Sequence, residues 1–341
     1  MRSIIVIFLL LKVLPTHAQK GFSFVDREIQ KKVDILHNGK LITSYCYFDS
    51  TEKPILFPVK TLNGVTITRG YPIAPRAGER TDHPHHTGIW FNYESVNGLD
   101  FWNNSFAIPE ERKHRYGSIR HVSILDKSIK KERAFLKTKS NWVDQKGNVL
   151  LEEITEFTFS NKNGVLVIDR AATLTAKMSE VVFKDVKDGM IAIRVARELE
   201  MPSLQQDKFV DAMGNVTDVP LLNNKGVTGV YINKEGVKGD DVWGKRSAWT
   251  YLTGEKEGVT ISIGIIDHPK NIGYPTYWHA RGYGLFAANP LGQKVFSNGK
   301  EEMSLRLTEN KSITFKYRFA IKEGSVIKAE EMNQLSSDFL K

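Results

Sequence analysis

The sequence predicts an all-β fold, a large antiparallel β-sandwich with a short C-terminal helix. Three features lead there: short segments rich in β-branched and aromatic residues alternate apolar with polar positions, Gly, Asn and Asp turns separate them, and helical periodicity is scarce. In chain order, the Asn38-Gly39 turn opens the aromatic and β-branched segment 41–48, and Asn63-Gly64 marks the next reversal. Segment 155–159 alternates and is bracketed by Lys146-Gly147-Asn148 and Asn163-Gly164, after which 165–169 begins again. Segments 190–195, 259–266 and 312–321 repeat the pattern. Short alternating strands with tight turns make a sandwich or barrel, whereas a parallel sheet needs intervening helices. One helix is expected, over 325–340: Ser325 offers an N-cap, and Met332, Leu335 and Phe339 recur at spacings of three and four.

The chain has 341 residues and carries no Pro-rich or Ser-rich linker, low-complexity tract or fixed-period repeat. One β-sandwich domain over 19–341 is the expected organisation. A hydrophobic share of 41% and a charged share of 26% exclude a disordered or fibrous chain. The single cysteine, Cys46, excludes an intrachain disulfide framework and a cysteine-based zinc site. Residues 1–18 read as an export signal: Arg2 is the positive start, 4–11 the apolar core, and Thr16 and Ala18 the small residues before the cleavage point. A periplasmic or secreted protein is therefore expected. No 18-residue apolar stretch follows, so no membrane span is expected after cleavage. The net charge of +9 loses only Arg2 and Lys12 on cleavage, and the basic residues are scattered among acids. Nothing resembles a nucleic-acid motif. Such a charge pattern reads as a solvated basic surface, or as attraction to an acidic glycan or another anionic substrate.

Titratable residues concentrate in one stretch. Arg76, Glu79, Arg80, Asp82, His83, His85 and His86 fall within eleven residues, followed by Trp90, Tyr93, Phe101 and Trp102. Such density is costly to bury without a purpose, and it marks a candidate site. Read as a strand, His83 and His85 share one face and His86 the other. The histidines could serve acid–base or substrate-binding chemistry with Glu79 or Asp82 fixing a tautomer, begin a divalent-metal site, or shape a structural loop at Pro84. A second concentration runs from Asp267-His268 through Trp278, His279 and Arg281 to Asn289. His279 and Arg281 would share one face of an extended segment. Arg194 stands inside the apolar strand 190–195, and Trp243 and Trp249 bracket another aromatic turn.

These segments together resemble one family of exported bacterial proteins, the PmoA-like or DUF6807 family. The resemblance rests on His-Pro-His-His leading to Gly-Ile-Trp at 83–90, Asn-Gly-Leu-Asp-Phe-Trp at 97–102, Asp-His-Pro-Lys-Asn at 267–271, Tyr-Trp-His-Ala-Arg-Gly-Tyr-Gly at 277–284 and Asn-Pro-Leu-Gly at 289–292. It implies a sandwich similar to the galactose-mutarotase-like supersandwich and a setting among carbohydrate-degrading proteins. A fold of that kind selects no reaction. The expected function is an exported carbohydrate-active protein, an epimerase-, lyase- or hydrolase-like enzyme. His86 or His279 would move the proton, with Glu79 or Asp267 as partner, and Arg76 and Arg281 would hold a carboxylate or oxyanion. Trp90 and Trp278 would stack the sugar, with His85, Arg194 and Asn289 contributing contacts. No cofactor is required by this reading. The alternatives are a non-catalytic glycan-binding sandwich and a metal-dependent enzyme built on His83, His85 and His86.

Overall fold

The computed structural model of the chain describes residues 20–340, and the expected signal segment lies outside the described residues. In chain order the strands are β1 (Phe22–Arg27), β2 (Lys32–His37), β3 (Lys40–Cys46), β4 (Ile55–Leu56), β5 (Ile89–Tyr93), β6 (Ser118–Lys130), β7 (Arg133–Val143), β8 (Val149–Lys162) and β9 (Val165–Ala176). They continue as β10 (Glu180–Phe183), β11 (Gly189–Arg194), β12 (Val230–Asn233), β13 (Trp249–Lys256), β14 (Val259–Asp267), β15 (Tyr277–Arg281), β16 (Leu285–Asn289), β17 (Leu305–Thr308) and β18 (Ser312–Glu323). Two α-helices, α1 (Gln293–Phe296) and α2 (Ala329–Phe339), lie late in the chain.

The strands form two eight-stranded antiparallel sheets. The first has the order β1-β2-β3-β4-β5-β11-β16-β15, the second β12-β13-β14-β18-β9-β8-β7-β6, and β10 pairs with β17 apart from both. The sheets face each other through one apolar core. Phe91 of β5 lies 5.9 Å from the Phe315 ring of β18 and 6.3 Å from Trp142 of β7. Alternation fills this interface: Ile89, Phe91 and Tyr93 point inward on β5, and Ile261, Ile263 and Ile265 on β14. One charged pair is buried there. Arg170 donates to Glu153 at 2.8 Å and spreads its guanidinium over Phe91 and Phe157, which pairs the charge and covers its apolar plane.

Each predicted strand is present, several of them longer than expected, because the long hairpins β6–β9 extend well past the segments with clean alternation. The C-terminal helix starts at Ala329, four residues after Ser325. Ser325 does not cap it: Lys328 occupies the N-cap position without a side-chain hydrogen bond. Met332 and Leu335 dock on the outer face of the second sheet against Val165, Val167, Ile266 and Ala320. The approach is close, since a Cβ at Gly264 of β14 would lie 2.7 Å from the Met332 methyl. Among the described residues, no helix is long and apolar enough to cross a membrane.

Candidate functional site

The outer face of the first sheet carries the polar chemistry. Register places Trp90, Ala192, Ala287 and His279 in one row across β5, β11, β16 and β15, and Arg194, Leu285 and Arg281 in the next. The two alanines leave a low floor, and Trp102 and the 70–88 loop cover it at the β5 side. Gly88 brings that loop into β5. It has φ +60°, and a Cβ there would lie 2.2 Å from the Leu56 carbonyl oxygen, so only glycine fits.

Within the loop, residues 83–86 form a turn closed by the His86 amide donating to the His83 carbonyl at 3.0 Å. The strand-like sharing of a face by His83 and His85 therefore does not arise. Buried Arg69 sets the turn. Its guanidinium donates to the carbonyls of Arg80, Asp82, His83 and His86 and to Asp82 Oδ1. Arg194, also buried, donates to the same Asp82 oxygen at 2.6 Å. The other oxygen, Oδ2, lies 2.6 Å from His83 Nδ1. Burial alone would raise the Asp82 carboxyl, but Arg194, the His83 hydrogen bond and Arg69 outweigh it and hold it well below the usual carboxylate range. His83 itself is held at φ +43°, the left-handed conformation of a turn residue. Its side chain is 40% exposed, and its ring lies parallel to Tyr283 at 4.9 Å.

His83 opens onto a cleft of about 730 Å³ lined by Asp82, Trp243, Asp240, Arg281 and Tyr283, with Asp207 and Arg80 at one side. Arg281 stands 6.0 Å from each of the Trp243 and Tyr283 rings and has no ion pair among the described residues. Behind the cleft, Glu200 receives Arg80 and Arg197 and lies 3.9 Å from Arg194.

The family of unknown function DUF6807 matches residues 32–337. The chain belongs to this family. The PmoA-like label is no part of that description. No curated protein matches the sequence. Among solved structures, this DUF6807 chain is similar to the galactosidase domain of an alpha-galactosidase-sucrose kinase, with 11% identity and a TM-score of 0.40 over 88% of this chain and 41% of that one. It is similar to galactose 1-epimerase from Lactobacillus acidophilus NCFM, with 10% identity and a TM-score of 0.39 over 90% of this chain and 100% of that one. A galactose mutarotase-like protein from Clostridium acetobutylicum shares 11% identity at a TM-score of 0.34 over 88% of this chain and 98% of that one. The chain thus spans about four-tenths of the first of these proteins. Likeness at this level says nothing of activity.

The early and late segments of the DUF6807 chain do meet, but through His83 and Tyr283. Of the expected residues, Arg281 lines the cleft. Arg194, His86 and Trp90 lie beneath it: Arg194 approaches His86 Nδ1 at 3.3 Å, and His86 stacks on Trp90 at 5.2 Å. Burial, with the neighbouring positive charges, holds His86 well below its ordinary value and pulls His279 down to about 3. Both stay neutral and enclosed, so neither is placed as the proton carrier the sequence suggested. His279 Nδ1 lies 3.3 Å from Asp188 Oδ1 without hydrogen-bond alignment.

The other expected residues do structural work. Glu79 spends both oxygens on the Gly70, Tyr71 and Arg76 amides and the Arg76 guanidinium, a clamp that fixes the loop and leaves no oxygen for proton transfer. Arg76 is held in that clamp, with a second bond to the Thr68 carbonyl. Asp267 ends β14 in the second sheet, where it receives Asn271 and the Thr276 amide; burial pushes it up to about 7. Trp278 points into the core and donates to the Ser247 carbonyl. Asn289 holds a turn with all four of its hydrogen bonds made to backbone. His85 faces a different cavity. The His83 and His86 rings stack in parallel at 4.8 Å, so their nitrogen lone pairs do not converge, and no three His, Cys, Asp or Glu are grouped to hold a metal among the described residues. Sequence reasoning gave no role to Arg69, Lys53, Asp188 or Glu200: Arg69 stands alone in its segment, the other three sit beside other charges such as Glu52, Lys187 and Arg197, and no motif singles any of them out.

Proposed function

We propose that this chain is an exported protein acting on a sugar or glycoside in the cleft in front of His83, with His83 as its proton carrier. One observation carries the reading: an exposed histidine, paired with a carboxylate that two buried arginines hold ionised, stands beside aromatic faces and an unpaired guanidinium. Asp82 accepts the Nδ1 proton, so neutral His83 offers Nε2 as a base, and the same carboxylate stabilises the imidazolium once it forms. Trp243 offers a face to a sugar ring, Tyr283 backs His83 with its ring stacked by that histidine and by the Arg194 guanidinium, and Arg281 meets a carboxylate or a developing oxyanion. Both Asp82 oxygens are engaged, so hydrolysis by paired carboxylates centred on it is disfavoured. Proton transfer at a sugar carbon or hydroxyl, as in epimerisation or elimination, suits the arrangement better.

The test is a panel of neutral aldoses, uronates and uronate glycosides, followed by NMR exchange between anomers and by ultraviolet absorbance of unsaturated product. Acceleration of one of these is expected, and His83→Asn should reduce it by at least about 100-fold, the usual span for a lost proton carrier. Equal turnover in His83→Asn would sink the assignment. Binding without turnover of any panel member would favour the second reading, a glycan-binding surface made by Trp243, Tyr283 and Arg281.

A further inference from the structure

A second cavity of about 330 Å³ lies on the other side of the 83–86 turn, where Pro84, His85 and Thr87 face Lys53, Ser105 and Phe106. Lys53 is only 3% exposed. Its ammonium donates to the His85 carbonyl at 2.8 Å and lies 5.6 Å from the centre of the Trp90 ring. Among the described residues it has no carboxylate partner. The nearest acids are otherwise engaged: Glu52 receives Ser118 and Arg120, and Asp100 receives Asn103. A buried ammonium with one neutral acceptor is costly, because the charge loses its hydration without gaining a counter-charge. On the same wall, His85 Nε2 is buried with no partner. The ammonium is left without a counter-charge, and His85 Nε2, in the tautomer that carries its proton, without an acceptor.

We propose that this cavity is an anion-binding site, taking a carboxylate or sulfate group whose charge Lys53 neutralises. The assignment stands apart from the His83 cleft and does not rest on its reading. Burial draws Lys53 down to about 7, against a smaller upward pull from Glu52 and Asp100. An anion would therefore bind together with a proton. His85 is held neutral by burial and by Lys53, so it changes little in the same range.

Calorimetric titration of the full chain with sodium sulfate, sodium glucuronate and glucose, at pH 6 and pH 9, tests this. Saturable binding of an anion at pH 6 is expected, at least about tenfold weaker at pH 9 where Lys53 is neutral. Glucuronate alone would assign the group to an acidic sugar, whereas sulfate binding would assign it to a small inorganic anion or sulfate ester. Lys53→Met should abolish binding. In case that variant does not fold, Phe106, 62% exposed at the cavity, carries the second arm: Phe106→Glu should weaken the anion and Phe106→Lys tighten it. The proposal is overturned if neither anion binds wild type at pH 6, if glucose binds as well as glucuronate, or if affinity is indifferent to these substitutions.

Discussion

Asp82 joins two buried arginines to the exposed histidine of the cleft, and its removal is the sharpest test of the site's construction. Asp82→Asn would leave Arg69 buried without its ion pair and Arg194 with only Glu200 at 3.9 Å, at a cost of about 3–5 kcal/mol in urea unfolding. His83→Asn, at an exposed side chain, should cost under about 1 kcal/mol, so loss of function there would not be loss of fold. His279 gives a pH test. Its folded value near 3 lies below the unfolded value near 6.5, so between those limits the unfolded chain binds more protons. Stability must rise with pH across that window and be lost as pH falls through it. At pH 4 the loss from this one group is about 3 kcal/mol, and His279→Asn should flatten the curve of stability against pH accordingly. The cluster at 76–86 was legible as a candidate site because of its density. Spacing alone did not separate Glu79, which ties backbone, from Asp82, which orients a ring, since both are carboxylates within reach of arginines and histidines.

At the level of elements, alternation was the most dependable signal. It placed His279 and Arg281 on one face of β15, as observed, and the same rule sends Trp278 to the opposite face, into the core. Trp278 is thereby kept out of any site shared with those two residues. At 83–86 the sequence left a strand and a loop at Pro84 both open, and the loop is what forms, because Pro84 and the left-handed His83 interrupt any period. Gly88→Ala should destabilise by at least about 2 kcal/mol, through its positive φ and the collision with the Leu56 carbonyl, measured by chemical denaturation. The C-terminal helix was readable from Met332 and Leu335, and Met332→Ala should cost about 2–5 kcal/mol by opening a void against Gly264 and Ile266. Its start was not readable, because the extended segment 325–328 is set by packing and not by a capping side chain.

For the whole molecule, the cleft exists only because distant segments are brought onto one sheet face. Arg281→Ala should weaken ligand binding by about tenfold or more while leaving unfolding by urea unchanged, since its side chain is exposed on the cleft wall. Trp243→Ala should weaken binding likewise but also cost stability, because the half-buried indole packs against Phe296 at 5.3 Å. A loss of stability in Arg281→Ala would mark it as a packing residue. The sequence by itself determined the antiparallel strands, the turns between them, the helical periodicity near the C-terminus and the two polar segments, because each is written in residues within a few positions of one another. The tertiary structure decided which strand face meets the core, which histidine reaches solvent and which carboxylate it meets. Those outcomes depend on pairings such as Arg194 with Asp82, 112 residues apart, and on burial, which holds His86 and His279 neutral and leaves His83 in the open.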